Sequence, residues 1–138
     1  MIRVLVADDH AVVRRGLIQI LEEGDDIHVK GEAGTAREVI QALREDDYDV
    51  LVLDVAMPEG GGLEVLEYLN DGSDEIHVLV LSVYPEKQYA RRALKLGAKG
   101  YLTKDSAPQE LLMAVEKVAR GELYLTQTLA EELAASLR

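Results

Sequence analysis

Strand and helix patterns alternate five times along the chain. Short apolar runs rich in Val, Ile and Leu predict strands, and segments whose apolar residues recur every three or four positions predict helices. The predicted strands span Ile2–Ala7, Ile27–Ala33, Val50–Leu53, Val78–Leu81 and Gly100–Thr103. The predicted helices span about Ala11–Glu23, Thr35–Glu45, Leu63–Asn70, Pro85–Leu96 and Ser106–Arg120. Each strand is therefore followed by a helix.

This alternation predicts one α/β domain. A helix after every strand carries the chain back across the sheet, so the strands run parallel and helices cover both faces. Because crossovers are right-handed, few topologies remain. We predict a (βα)5 doubly wound parallel sheet with strand order 2-1-3-4-5. Ile27–Ala33 alternates apolar and polar residues, as strands near a sheet edge do, whereas Val50–Leu53 is apolar throughout and should be buried.

Local signals predict where several helices begin and end. Thr35 with Glu38, and Ser106 with Gln109, fit the capping box that begins many helices. Gly24 and Gly97 are predicted to end the first and fourth helices, and Pro85 suits a first helical turn.

Composition and charge exclude several classes of function. The 138 residues include no cysteine, which excludes a disulfide framework, a thiolate zinc site and a cysteine nucleophile. The formal net charge of -11 should repel DNA and anionic lipid. The amino end lacks the basic and apolar regions of a signal peptide, and no apolar run approaches membrane-spanning length. We expect a cytoplasmic protein with no membrane contact.

Polar side chains stand where four of the predicted strands end. Asp8 and Asp9 follow the first strand, Asp54 the third, Ser82 the fourth and Lys104 the fifth. In the predicted strand order these ends lie side by side, at the edge where open α/β sheets bind ligands. Because carboxylates held close together repel one another, we expect a hard divalent ion between them, and Mg2+ fits oxygen ligands.

The combined groups suit phosphoryl chemistry. A metal ion, the Lys104 ammonium and the Ser82 hydroxyl together form a receptor for phosphoryl oxygens. The reactive oxygen must then come from a carboxylate, and aspartyl phosphates are an established type of covalent intermediate. Asp54 ends a buried strand and precedes a Pro- and Gly-rich loop, which makes it the candidate acceptor. Taken singly, each residue also fits a loop or surface role, and only their joint occurrence is specific.

Over residues 1–121 the sequence resembles the receiver domain of two-component response regulators. The residues that carry the resemblance are Val6–His10, Leu53–Pro58, Gly62–Glu64, Leu81–Ser82 and Gly97–Lys104. Within that family the chain resembles the NarL/FixJ branch, on the evidence of Asp8-Asp9-His10, Gly97–Ser106 and Arg120–Leu125. The resemblance implies a flavodoxin-like (CheY-like) fold.

The resemblance also implies how the acids act. Asp54 would accept a phosphoryl group from a histidine kinase. Asp9, Asp54 and the backbone carbonyl of Ala56 would bind Mg2+ directly, and Asp8 would bind it through a water. Ala56 has no polar side chain that could position an attacking water. Beyond its own phosphorylation and slow autodephosphorylation, the chain would not be an enzyme.

Three further residues receive roles from the same resemblance. Lys104 would pair with the phosphoryl group, Ser82 would bond it and move, and Tyr101 would swing inward as a switch. Two positions depart from the common pattern. Asp105 replaces a frequent proline, so no cis peptide is carried over, and Val83 is bulkier than usual and would restrict access to the site.

The last residues form a separate segment. We assign 1–121 to the receiver and 122–138 to a linker helix, which would lead to an output domain absent from this chain. Thr128–Glu131 fits a capping box, and one apolar stripe recurs every four residues at Leu125, Leu129, Leu133 and Leu137. We expect this stripe to pack on the output domain or on a second copy of the chain; the alternative is packing on the receiver itself. The NarL/FixJ resemblance implies a LuxR-type helix-turn-helix output domain, the only part that would bind DNA.

The sequence leaves other functions open. A nucleotide- or flavin-binding domain is disfavoured, because acids after the first strand would repel phosphate. A phosphatase with an aspartyl nucleophile and a stand-alone or pseudo-receiver interaction module are further alternatives. His10 is expected to be structural or to cap a helix. The basic residues Arg91, Arg92, Lys95 and Lys99 form either a solvated helix face or a partner surface.

Overall fold

The computed structural model describes residues 1–55, 57, 61–70, 75–82 and 87–136, and the fold is described for those residues. Its strands are β1 (Ile2–Ala7), β2 (Ile27–Ala33), β3 (Val50–Asp54), β4 (His77–Ser82), β5 (Gly100–Thr103) and β6 (Tyr124–Leu125). Its α-helices are α1 (Ala11–Glu22), α2 (Ala36–Glu45), α3 (Gly61–Asn70), α4 (Lys87–Lys95), α5 (Ala107–Ala119) and α6 (Gln127–Ser136). A short 3-10 helix, Lys104–Ser106, precedes α5.

All strand pairs are parallel, and the sheet order is β2-β1-β3-β4-β5-β6. The predicted doubly wound order is confirmed, with β6 added beside β5. The register brings the carboxyl ends of the inner strands level with one another, because Asp54 lies opposite Leu81 and Ser82 lies opposite Thr103. One edge of the sheet thus collects the polar residues that follow the strands.

The core has one apolar layer on each face of the sheet. Successive side chains of a strand point to opposite faces, so Leu5 and Leu51 belong to one layer while Val4 and Val50 belong to the other. Buried residues of α2, α3 and α4 complete the first layer, and those of α1 and α5 complete the second. Both faces are covered, as the parallel topology requires. In the described residues no helix is long and apolar enough to cross a membrane.

Helices α2 and α5 begin after Thr35 and Ser106 as predicted, but only Thr35 makes the capping bond that the sequence pattern suggested. At α2, Thr35 Oγ1 accepts a hydrogen bond from the N–H of Glu38 at 3.1 Å, and the Glu38 carboxylate accepts one from the N–H of Gly34. At α5, Ser106 stands at the capping position but its side chain makes no capping bond. Its hydroxyl instead bonds the Thr103 hydroxyl at 2.9 Å, because the preceding 3-10 turn folds the two side chains together.

Helix α6 begins earlier than the sequence suggested. Its first residue is Gln127, and Thr126 Oγ1 accepts a hydrogen bond from the N–H of Leu129 at 3.3 Å. The capping box predicted over Thr128–Glu131 is therefore wrong, because Thr126 caps the helix. Pro85, predicted for the first turn of the fourth helix, and Val83, predicted to restrict access to the site, lie outside the described residues.

The apolar stripe of the tail packs on the receiver. Leu129 is 7% exposed and belongs to the same core layer as Ala90 and Ala93 of α4, while Leu125 and Leu133 pack against that layer. The expectation that this stripe faces another domain is therefore wrong for these three leucines, and the alternative, packing on the parent domain, holds. Leu137 lies outside the described residues. The division at residue 121 stays a prediction.

Candidate functional site

The fold brings four of the predicted residues together at the carboxyl edge of the sheet. Asp8 follows β1, Asp54 ends β3, Ser82 ends β4 and Lys104 follows β5. The side chains of Asp8, Asp54 and Ser82 are 0%, 1% and 3% exposed. Buried polar groups persist only when they are paired or bind a ligand, so this edge is built around a polar cluster.

Lys104 lies between two of the acids. Its Nζ is 2.7 Å from Asp8 Oδ2 and 3.4 Å from Asp54 Oδ2. Burial lowers the pKa of Lys104, but the hydrogen bonds and charges of Asp8 and Asp54 outweigh burial and raise this pKa above its ordinary value. Lys104 therefore provides a fixed positive charge at neutral pH.

Asp8 is held from several sides. Its Oδ1 accepts a hydrogen bond from the backbone N–H of His10 at 2.8 Å, while Oδ2 faces Lys104. Its carbonyl oxygen accepts a hydrogen bond from Arg14 Nη1 at 2.6 Å, and Arg14 is itself held by Glu32. These bonds fix the loop between β1 and α1, and with it the position of the neighbouring Asp9.

The cluster fits a divalent cation. Asp8, Asp9, His10 and Asp54 each offer one ligand atom, and these atoms all lie within 4.8 Å of one another. Three carboxylates face one ammonium, so negative charge is in excess, and carboxylate oxygens are the donors that Mg2+ prefers. Asp9, with its side chain 23% exposed, lies on the solvent side. Ala56, whose carbonyl was assigned as a ligand, lies outside the described residues.

His10 lies beside the site, but the capping role suggested for its side chain is wrong. Its side chain makes no capping bond to α1. Instead its Nδ1 lies 3.0 Å from Asp9 Oδ1 and 3.4 Å from Asp8 Oδ1. Its position directly after two acids was a signal of proximity, but spacing along the chain does not fix the direction of an imidazole at a helix start.

The start of α3 packs closely against the turn that follows Asp54. A Cβ placed on Gly62 would lie 2.5 Å from Val55 Cα and 2.7 Å from Val55 O, both backbone atoms. The N–H of Val55 also donates a hydrogen bond to the Leu81 carbonyl at 3.2 Å. Helix α3 and strand β4 together fix the backbone immediately after the candidate acceptor.

Comparison with known proteins agrees with this arrangement. The family model described as "Response regulator receiver domain" matches residues 4–116. The chain belongs to the response regulator receiver family. It is the receiver domain of a two-component response regulator of the NarL/LuxR type, as its individual relatives indicate.

Two of those relatives are response regulators of Escherichia coli K12. The receiver is 35% identical to response regulator UvrY over 136 residues and 40% identical to the nitrate/nitrite response regulator protein NarL over 135 residues. These matches cover 99% and 98% of this chain but 62% of each relative, so the chain spans about three fifths of their length. A crystal structure of a LuxR-family two-component response regulator from Aurantimonas sp. SI85-9A1 has a TM-score of 0.92 and 30% identity, and covers 99% of this chain and 97% of that one.

The two residues assigned to the receiver's switch lie on neighbouring strands. Ser82 ends β4, and Tyr101 lies on β5 opposite Val80 of β4 and Leu125 of β6. Tyr101 is 1% exposed and belongs to the core layer that contains Ala90 of α4. The tyrosine thus already faces inward in this structure, between the site and the tail; its movement stays a prediction.

Proposed function

We propose that this receiver accepts a phosphoryl group on Asp54 from a histidine kinase, with Mg2+ as cofactor, and passes the signal to a transcription output domain. One observation carries the proposal. Asp54 is a buried carboxylate that shares the Lys104 ammonium with Asp8, and its ligand atom lies within 4.8 Å of ligand atoms of Asp8 and Asp9. A receiver needs such a nucleophile beside groups that offset phosphoryl charge.

The chain's own residues supply most of the chemistry. An Asp54 oxygen forms a bond to phosphorus as the bond from phosphorus to the kinase histidine nitrogen breaks. The Lys104 ammonium and the Ser82 hydroxyl would bind phosphoryl oxygens and orient the group. Bound Mg2+, held by Asp9 and Asp54 directly and by Asp8 through a water, would offset charge on the phosphoryl oxygens.

The activity of the whole protein is also a proposal, because the chain spans about three fifths of the length of its relatives. UvrY and NarL are named as response regulators, and the related crystal structure is of the LuxR family. We propose that the complete protein adds a LuxR-type DNA-binding domain and acts in the cytoplasm. The receiver, with net charge -11, should not bind DNA at physiological salt.

Phosphorylation is tested directly by intact mass spectrometry. Incubation with a small phosphodonor and Mg2+ should give one phosphoryl adduct, and Asp54→Asn should abolish it. Chelation of Mg2+ should abolish it as well, because the charge of the phosphoryl oxygens is then not offset. Asp105→Asn, at an exposed position close in sequence to Lys104, is the matched control and should keep the wild-type yield. An adduct at wild-type yield on Asp54→Asn would overturn the proposal.

A further inference from the structure

His10 has no part in the phosphoryl chemistry described above, yet its imidazole faces the acids. Nδ1 lies 3.0 Å from Asp9 Oδ1 and 3.4 Å from Asp8 Oδ1. His10, Asp8, Asp9 and Asp54 each offer one ligand atom, and this nitrogen and these three oxygens lie within 4.8 Å of one another. The donor set is therefore mixed rather than purely carboxylate.

The backbone of His10 is fixed on both sides. Its N–H donates to Asp8 Oδ1 at 2.8 Å, and its carbonyl accepts the N–H of Arg14 at 2.9 Å as the first bond of α1. These two bonds fix the backbone from which the imidazole reaches the carboxylates. The side chain is 67% exposed, so an ion can reach Nδ1 from solvent.

The distances suit ligands of one ion. When ligand atoms lie about 2.1 Å from a metal, two adjacent ligands in octahedral geometry lie about 3.0 Å apart. The separation of His10 Nδ1 and Asp9 Oδ1 has this value. Meanwhile Lys104 binds the other oxygen of Asp8, Oδ2, and leaves Oδ1 directed toward His10.

We propose that this site also binds a divalent transition-metal ion of borderline softness, with His10 Nδ1 as a ligand beside the carboxylates of Asp9 and Asp54. Imidazole nitrogen is a good ligand for Zn2+, Ni2+ and Cu2+, whereas Mg2+ takes oxygen ligands and retains water. The inference rests on the carboxylates of the proposed function and adds a nitrogen ligand that Mg2+ does not need. The two classes of ion therefore compete for one site, and His10 sets the preference.

Ni2+ and Mg2+ titrations of the full chain by calorimetry test this inference, at about pH 7.5 where free imidazole is neutral. Wild type should bind one Ni2+, which excess Mg2+ displaces. His10→Ala should weaken Ni2+ binding by about 10-fold or more and change Mg2+ binding by less than about twofold. His28→Ala is the matched control, because His28 is exposed at the amino end of β2, opposite the site, and should change neither affinity.

Two results would overturn the inference, and circular dichroism checks that each variant is folded. One is Ni2+ binding by His10→Ala at wild-type affinity. The other is an equal loss of affinity for Ni2+ and Mg2+ in His10→Ala, because the substitution would then disturb the turn at Asp8 rather than remove a ligand. Failure of wild type to bind Mg2+ would instead count against the proposed function. Asp9→Ala should weaken the binding of both Ni2+ and Mg2+, which distinguishes a ligand shared by the two ions from a ligand, such as His10, that serves only one.

Discussion

Lys104 lies closer to Asp8 than to Asp54. The Nζ to Oδ distances are 2.7 Å and 3.4 Å, although Asp54 is the candidate acceptor. Asp8 thus holds the Lys104 ammonium beside the Asp54 carboxylate, so that a short movement of the lysine would bring it to a phosphoryl group on Asp54. The pair also neutralises a carboxylate that is fully buried, so Lys104 has a structural role in addition to its proposed chemical one.

The first prediction concerns the dependence of stability on pH. The pKa of Lys104 is raised above its ordinary value of 10.5 by Asp8 and Asp54, against the effect of burial. Its stabilisation is therefore fully present below pH 10.5 and is lost as the pH rises through the raised pKa. Lys104→Met should lower the free energy of unfolding by about 1–3 kcal/mol near neutral pH, and the deficit should shrink at alkaline pH.

Urea unfolding of both proteins from neutral to alkaline pH measures this difference. The comparison cancels the titration of groups that both proteins share. One such group is Tyr124: burial and the hydrogen bond to Glu110 raise its pKa to about 12. Lys95→Met, at an exposed position on α4, is the control and should keep the wild-type pH profile. A deficit that is constant across the pH range would contradict the prediction.

The second prediction concerns the metal. Mg2+ should raise the melting temperature of wild type, because an ion that binds only the folded state stabilises it. Asp9→Ala removes one carboxylate of the cluster, so the Mg2+-dependent rise should fall markedly. Thermal melts with and without Mg2+ provide the measurement, with Asp105→Ala as the control. Equal rises in wild type and Asp9→Ala would refute the assignment of Asp9 as a ligand.

The third prediction compares two glycines. A Cβ on Gly62 would meet the backbone of Val55 at 2.5 Å, and backbone atoms cannot rotate away. Gly62→Ala should therefore cost about 1–3 kcal/mol and slow phosphorylation of Asp54. Gly16→Ala is the matched control, because a Cβ added to Gly16 within α1 would meet no atom within 4 Å. This substitution should stabilise the protein by about 1 kcal/mol. Urea unfolding checks both signs, and a neutral Gly62→Ala would show that α3 can shift without cost.

The fourth prediction concerns the tail. Leu129 is buried against the layer that contains Ala90 and Ala93, so Leu129→Ala should lower the free energy of unfolding by about 2 kcal/mol. Glu131→Ala, on the exposed side of the same helix, should be near neutral. Removing the chain after Gly121 should destabilise the receiver further, because the Leu125, Leu129 and Leu133 contacts are all lost. Calorimetric melting temperatures measure these effects; a Leu129→Ala variant as stable as Glu131→Ala would mean that α6 does not stabilise the receiver.

Elements with strong local signals could be predicted from the sequence. Ile27–Ala33 and Gly100–Thr103 have the predicted bounds, and α2 begins after Thr35 because its capping bonds join residues only a few positions apart. The collection of Asp8, Asp54 and Lys104 at one edge also followed, since strand order and strand ends determine it.

Features that depend on distant partners could not be predicted in the same way. Strand β6 has two residues, and it exists because Tyr124 and Leu125 pair with Gly100 and Tyr101. The capping function expected of Ser106 failed because Thr103 binds its hydroxyl. These outcomes are decided by which groups meet in space, and a residue pattern does not record that.

Strand β6 has a consequence for how other chains can approach this protein. It turns β5 from an edge strand into one paired on both sides, at Gly100 and Tyr101. Open edges are templates for strand addition by other molecules, and the edge that replaces β5 is only two residues long. At the opposite edge, β2 carries two exposed charged residues, Lys30 and Glu32, which discourage such pairing. Strand addition is therefore disfavoured at both edges, which favours recognition through the helices and loops of this molecule.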